Sequence, residues 1–328
     1  MNKKNIALLA GGNSGEAEIS YKSAIIIEQN IDESLYNVYK ISLHHTDWYY
    51  TDAEGKHYPI DKNDFSLTIN KTKIKFHCVF IAIHGTPGED GMLQGYFELI
   101  DIPYTTCDHT TSAITFNKSY CNKIVQAAGI NIANSIHLFQ NQPYTIQHIL
   151  DEITLPCFVK PNNGGSSIGM SKVNHSKDLE IAIQKAFHED NQVLIEEFIE
   201  GKELTCGMIN ANGSLLVFPI TQIIPENEYF DYEAKYKGKS KEVTPAEIDE
   251  TIANKVKSTA AYLYNKLNCK GIVRFDFILK NNTDDLYFLE VNTVPGQSAE
   301  SIVPQQIRAM GLTIKEIYTM LIEESMKR

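Results

Sequence analysis

Two stretches late in the chain alternate charge with apolar bulk: GIVRFDFIL, Gly271–Leu279, and LYFLEVN, Leu286–Asn292. The segment between them, Asn-Asn-Thr-Asp-Asp, has a turn composition. On a strand, alternate side chains share a face. Val273, Phe275, Phe277 and Leu279 therefore point one way, and Arg274 and Asp276 the other. In the second stretch Tyr287, Leu289 and Val291 oppose Phe288, Glu290 and Asn292. Paired as a hairpin, the two strands gather Arg274, Asp276, Glu290 and Asn292 on one face. Two carboxylates and an amide oxygen suit Mg²⁺, which takes few protein oxygens and keeps positions for water and phosphate. The arginine would neutralise charge developing on a transferred group. A solvated polar face gives the same alternation. The next segment, TVPGQSAES, favours the ligand reading, because a Pro-Gly turn with small hydroxyl residues lets backbone approach a small molecule closely.

A second chemical signal is KPNNGGSSIGMS, Lys160–Ser171. Its lysine precedes the glycines and no Gly-Lys-Ser/Thr follows, so it is not a P-loop; nor is it the G-x-G-x-x-G dinucleotide fingerprint. Glu16, in the loop GGNSGEAE, would alone read as an acid near a helix N-terminus, where negative charge is favoured. His84 ends a buried strand and reads as a positioning residue rather than an acid or base.

The chain that must carry these residues has 328 positions, 43% apolar, with a formal net charge of −11. That length exceeds what one core usually serves, so roughly two or three domains are expected. The acidic balance and the lack of a long Lys/Arg block argue against nucleic-acid and membrane-surface partners. No run reaches the ~18 apolar residues of a membrane span. The apolar start, Ile6–Ala10, is too short for a signal peptide and reads as a buried strand. Six scattered cysteines without a C-x-x-C pair suit buried, reduced thiols in a cytoplasmic protein and argue against a zinc site.

The element pattern divides the chain in three. Residues 1–115 alternate strand and helix: Asn5–Ala10, a helix from about Ser20, YNVYKISL, a polar hairpin, then CVFIAIHG running into TPGEDG. This suggests an open parallel sheet with its ligand side at the strand C-terminal ends. Residues 116–205 read as a smaller α+β unit, in which strands LPCFVK and IGMSKV flank the glycine-rich loop and QVLIEEF follows a helix. Residues 206–328 open with a hairpin turning at Asn212-Gly213. There follow a loop of about twenty residues, Pro225–Pro245, long enough to be functional or disordered, a helix over about Ala246–Leu267, and the two charged strands.

Together, GGNSGEAEIS, IHGTPGEDGMLQG, KPNNGGSSIGMSKV, VLIEEFIEGKE, DYEAKY, TPA, RFDF and EVNTVPG resemble, in order and spacing, the D-alanine–D-alanine ligases of the ATP-grasp superfamily. The resemblance spans nearly the whole chain. It implies a three-domain α/β (α+β) ATP-grasp fold and an enzyme joining two D-alanines at the expense of ATP, for peptidoglycan precursors, in the cytoplasm and as a homodimer. It implies ATP phosphate binding by Lys118, Lys160 and the loop lysine Lys235, and a flap including Ser166 and Ser167 over the phosphates. Glu196, Glu197, Phe198 and Ile199 would run along adenine, and Glu203 would hold the ribose. Asp276, Glu290 and Asn292 would ligate two Mg²⁺ ions, with Mn²⁺ as a substitute. Glu16 would hold the first substrate's ammonium with His84 beside it, and Ser166 and Tyr236 would join Glu16 in a hydrogen-bonded set. Arg274, Gly296, Ser301 and Ile302 would receive the reacting group and the second substrate's carboxylate. Rival readings are another carboxylate–amine or D-alanine–D-lactate ligase, and a non-catalytic nucleotide-binding scaffold. Two departures stand out: Gly164-Gly165, where relatives often carry an acid before the glycine, and QSAES, in place of the commoner Met/Phe-Thr-Ser-x-Ser. The intact Tyr236 favours an amino acid as second substrate.

Overall fold

The computed structural model describes residues 3–225 and 240–327. Among the described residues the strands form sheets of seven, four and seven strands. The first holds β1 (Lys4–Gly11), β2 (Tyr36–His44), β3 (Asp47–Thr51), β4 (His57–Asp61), β5 (Ser66–Ile69), β6 (Thr72–Ile74) and β7 (Cys78–Ile81), in the order β6-β5-β4-β3-β2-β1-β7. Its parallel part is β2-β1-β7, and a meander extends it antiparallel. β1 is covered on both faces, which accounts for its unbroken apolar run. Helix α1 (Ala17–Asn30) starts three residues before the position expected from sequence.

Beyond α2 (Met92–Leu99), α3 (His109–Phe116) and α4 (Lys118–Ala127) the chain lays down the short strand β8 (Asn131–Ile132). The four-stranded sheet follows: β9 (Ser135–Phe139), β10 (Cys157–Pro161), β11 (Ser171–Val173) and β12 (Gln192–Glu197), antiparallel in the order β11-β10-β12-β9. Cys157, Val159, Val193 and Ile195 bury one face in a core closed by α5 (Ile146–Glu152) and α6 (Leu179–Glu189). Alternation then sends Phe158, Lys160, Leu194 and Glu196 to the other face.

The third sheet runs β16-β15-β13-β17-β18-β8, with β14 (Ser214–Val217) on β13 (Gly201–Ala211). Its other strands are β15 (Thr221–Pro225), β16 (Ser240–Val243), β17 (Ile272–Lys280) and β18 (Leu286–Asn292). The β13–β14 turn has Asn212 and Gly213 both at positive φ, 53° and 75°, as a two-residue hairpin requires. β15 and β16 pair at either end of the segment read as one loop, so its last residues extend the sheet. Helix α7 (Glu250–Lys266) starts later than expected because Asp249 caps it, accepting from the Thr251 N–H at 2.8 Å. It packs on the apolar face of β13 and β17, and α8 (Ile302–Ala309) and α9 (Ile314–Ser325) join the third sheet to the first through one shared core.

One strand departs from plain alternation. Asp276 pairs with Glu290 but Phe277 pairs with Phe288, so Leu289 is an extra residue at a bulge. Phe288 therefore joins Phe277 and Val291 in the core instead of sharing the face of Glu290 and Asn292. The bulge lets Leu286 and Phe288 bury themselves while Glu290 and Asn292 still face Asp276 and Arg274.

Candidate active site

The polar faces of the four-stranded sheet and the third sheet enclose a cavity of about 490 Å³. Ten residues expected from sequence line it: Lys118, Lys160, Ser166, Ser167, Glu196, Glu197, Phe198, Ile199, Glu203 and Glu290. Lys160 and Glu196 lie two residues apart in cross-strand register on the same face, and Lys160 Nζ stands 2.5 Å from Glu196 Oε2. Asn122 Nδ2 donates to Oε1 of the same carboxylate at 2.9 Å. Lys118, at the start of α4, donates to the Gly164 carbonyl and so reaches the flap. Phe198 presents its ring to Phe158, 5.8 Å between centroids, and to the Lys172 ammonium, 4.2 Å from its centroid. Lys172 was not singled out from sequence; its place on β11, alternating with the buried Val173, is the only signal it gives.

The flap lies against the first sheet. Gly164 stands at φ 113°, and Ser166 and Ser167 at 54° and 57°, the left-handed region that non-glycine residues adopt at a cost. Ser166 donates its hydroxyl hydrogen to Glu16 Oε1. Glu16 occupies the N-terminal cap position of α1, as an acid near a helix N-terminus should, but its side chain makes no capping hydrogen bond and its carboxylate accepts from Ser166 instead. That carboxylate sits between Gly85 and Gly165, at each of which a Cβ would stand 2.9 Å from one of its oxygens.

His84 is buried at the end of the β7 run. Its Nδ1 lies 2.8 Å from the Val294 carbonyl, which can only accept, so Nδ1 carries hydrogen and Nε2 accepts from the Ser23 hydroxyl at 3.0 Å. Burial holds its pKa below the ordinary imidazole value, against the pull of Glu16. The Val294 N–H is held as well, by Glu89 Oε1 at 3.1 Å, while Glu89 Oε2 accepts from Gly85 N–H at 2.8 Å. Burial first, and then Glu16, push the Glu89 carboxyl up to about 8. Glu89 was visible in TPGEDG only as one acid of two; its partner 205 positions away was not.

On β17, Arg274 forks onto Asp276, Nε to Oδ1 at 2.8 Å and Nη2 to Oδ2 at 2.7 Å. Asn292 Nδ2 donates to Asp276 Oδ2 at 3.0 Å, which leaves its oxygen as acceptor. Among the described residues no three His, Cys, Asp or Glu side chains gather as a metal cluster. The hard oxygens of Asp276, Glu290 and Asn292, two carboxylates and an amide, nevertheless fit Mg²⁺ chemistry. Past β18, the Ser301 hydroxyl accepts from Ser298 N–H at 3.1 Å and lies 2.8 Å from Ser298 Oγ, and Ile302 is buried at the start of α8. Lys235 and Tyr236 lie outside the described residues. All six cysteines are buried, and none is in a disulfide. Among the described residues no helix is long and apolar enough to cross a membrane.

Two sheets that grip a lysine-lined cleft, with Glu203 and Glu290 facing it from one and a Gly/Ser loop from the other, define an ATP-grasp ligase. The N-terminal model of the D-ala D-ala ligases matches residues 5–107 and the C-terminal model residues 124–323. The chain belongs to the D-alanine–D-alanine ligase family. It is 46% identical over 323 residues to the D-alanine–D-alanine ligase of Flavobacterium johnsoniae, covering 98% of this chain and 99% of that one. Among solved structures, the D-Ala:D-Ser ligase VanG of Enterococcus faecalis superposes with a TM-score of 0.87 at 31% identity, over 99% and 100% of the two chains. The D-alanine–D-alanine ligase of Bacillus anthracis complexed with ATP superposes at 0.78 and 25% identity, over 99% and 97%.

Proposed function

We propose that this chain is an ATP-dependent ligase that joins two D-alanines to D-alanyl-D-alanine through a D-alanyl phosphate, for the peptidoglycan precursor. The observation that carries the reading is the Ser166–Glu16 hydrogen bond, which ties the lid of the nucleotide cavity to the substrate loop of the first sheet. Residues 1–115 carry the first substrate, 116–205 the flap and hinge, and 206–328 the metal face and the second-substrate turn.

A carboxylate is a poor electrophile, so ATP first phosphorylates it. Lys118 and Lys160 neutralise the phosphates, Glu196 to Ile199 run along the adenine, and Glu203 holds the ribose. Asp276, Glu290 and Asn292 would hold two Mg²⁺ ions, with Mn²⁺ as a substitute, and the metal would supply positive charge to offset that on the phosphate oxygens. Glu16 binds the first D-alanine's ammonium, and His84 fixes the neighbouring Val294 backbone. The second amine then attacks the acyl carbon and the tetrahedral intermediate expels phosphate. Gly296 N–H and Arg274 stabilise the developing oxyanion. Ser301 and the N-terminus of α8 at Ile302 receive the second carboxylate. Acylphosphates hydrolyse, so the flap, with Ser167 over the phosphates, and the loop carrying Lys235 and Tyr236 must exclude water.

The buried thiols and the use of ATP support a bacterial cytoplasmic enzyme, and a homodimer is the assembly we propose. The direct test supplies ATP, Mg²⁺ and D-alanine, alone or with D-lactate or D-serine, and follows phosphate and product mass. No D-alanine-dependent phosphate would sink the reading. A dominant mixed product would move the chain to a different second substrate.

A further inference from the structure

Gln297 is where the second-substrate turn departs from the Met/Phe of the resembling pattern, and the fold gives its amide specific work. The side chain is buried, 5% exposed. Its Nε2 donates to the Pro295 carbonyl at 3.0 Å, and its Oε1 accepts from the Tyr318 hydroxyl at 2.9 Å. The Pro295 carbonyl can only accept, so the amide has one orientation. The Gln297 N–H donates to Ser23 Oγ at 3.2 Å, the hydroxyl that also meets His84. Tyr318 is fully buried on α9 and packs edge-on against Phe80 of β7, 5.3 Å between centroids. Burial pushes its phenol up, so it remains a donor.

The Pro295 carbonyl and the Gly296 N–H belong to one planar trans peptide and point in opposite directions. Anchoring one therefore aims the other. Glycine tolerates both signs of φ, so a peptide that precedes it rotates easily unless something holds it. The Gly296 N–H makes no hydrogen bond among the described residues, and a Cβ at Gly296 would meet Ser301 Oγ at 2.8 Å. The donor is left for a ligand, with the turn packed tightly around it.

We propose that Gln297 and Tyr318 form a latch that aims the Gly296 N–H at the reacting acyl group, making Gln297 a positioning residue for aminolysis. This rests on the reading that Gly296 receives the oxyanion. In aminolysis the neutral amine of the second D-alanine forms the C–N bond, phosphate leaves with the acyl C–O electron pair, and the proton lost from the nitrogen goes to the departing phosphate. An intermediate not captured in time is lost to water when the flap opens, giving D-alanine and phosphate without dipeptide.

The test compares the wild type with Gln297→Met, which keeps volume, and Tyr318→Phe, which removes one hydroxyl. With saturating ATP, Mg²⁺ and D-alanine, the readouts are kcat, KM for ATP, and phosphate released per dipeptide formed. Each variant should lose about tenfold in kcat, keep its KM for ATP, and release more phosphate per dipeptide. The double variant should lose little more than either single one. A purely structural role would cost folded protein and leave the phosphate-to-dipeptide ratio untouched. A ratio that stays at the wild-type value in both variants overturns the latch, whatever happens to kcat. A wild type with no D-alanine-dependent phosphate overturns the underlying reading as well, and so marks the two failures apart.

Discussion

Ser166 donates its hydroxyl hydrogen to Glu16 Oε1, 150 positions earlier in the chain. Gly165 makes the approach possible, since a Cβ there would stand 2.9 Å from that oxygen. This contact ties the nucleotide flap to the first sheet while Ser166 and Ser167 hold left-handed backbone angles that cost energy. A hydrogen bond to a carboxylate offsets that backbone cost, and on the proposed reading of this loop as a lid it is the contact that opening must break.

Ser166→Ala should shift the flap toward open. A hydrogen bond to a charged group is worth roughly 1.5–3 kcal/mol, so kcat/KM for D-alanine should fall roughly 10- to 100-fold with the melting temperature nearly unchanged. Steady-state kinetics beside a thermal melt checks both. Wild-type kinetics in the alanine variant would show that the contact does not govern closure.

Lys160 and Glu196 form a buried pair, with side chains 10% and 6% exposed. Breaking such a pair strands one charge, so Lys160→Met should cost about 3 kcal/mol of stability and raise KM for ATP. Adding Glu196→Gln should restore much of the stability, because the stranded charge is gone, without restoring ATP binding. Denaturant melts and ATP titrations separate the two effects. A single variant as stable as the wild type would contradict the burial of the pair.

Glu290→Gln keeps the shape of the metal face and removes one charge. Turnover should fall roughly hundredfold, and the Mg²⁺ needed for half-maximal activity should rise. Near-normal turnover at ordinary Mg²⁺ would refute the assignment of Glu290 as a ligand.

Much of this site was legible because strand periodicity is local. Arg274 and Asp276 fall on one face of β17, and Lys160 and Glu196 on one face of the smaller sheet, as alternation requires. The bulge at Leu289 was not legible, because a single extra residue reassigns faces only once the partner strand is known. The work done by Glu89, and by Gln297 at the departure QSAES, was hidden for a related reason. Their meaning lies in Tyr318, Ser23 and Val294, and which backbone groups a buried polar side chain meets is decided by how three sheets pack. The family resemblance reached further than periodicity because it carries such distant partners implicitly, and it was weakest at QSAES, where this chain departs from the common pattern.

Glu89 gives the last prediction. Its carboxyl accepts from Gly85 and Val294 N–H groups, yet burial and the nearby Glu16 raise its pKa to about 8, well above the ordinary 4.5. Between those values the folded state holds a proton that the unfolded state has released. Stability contributed by this group is therefore full below about 4.5 and lost as pH rises through about 8. His84, with its pKa lowered by burial, acts oppositely: its contribution is present above the ordinary 6.5 and lost as pH falls below it. Glu89→Gln cannot titrate, so its melting temperature should decline less than that of the wild type between pH 5 and pH 8, while the fall on the acid side, where His84 acts, should persist in both. Thermal melts across that range decide it. Parallel curves for the two proteins would mean that Glu89 is already ionised in the folded state, and that its two N–H donors outweigh its burial.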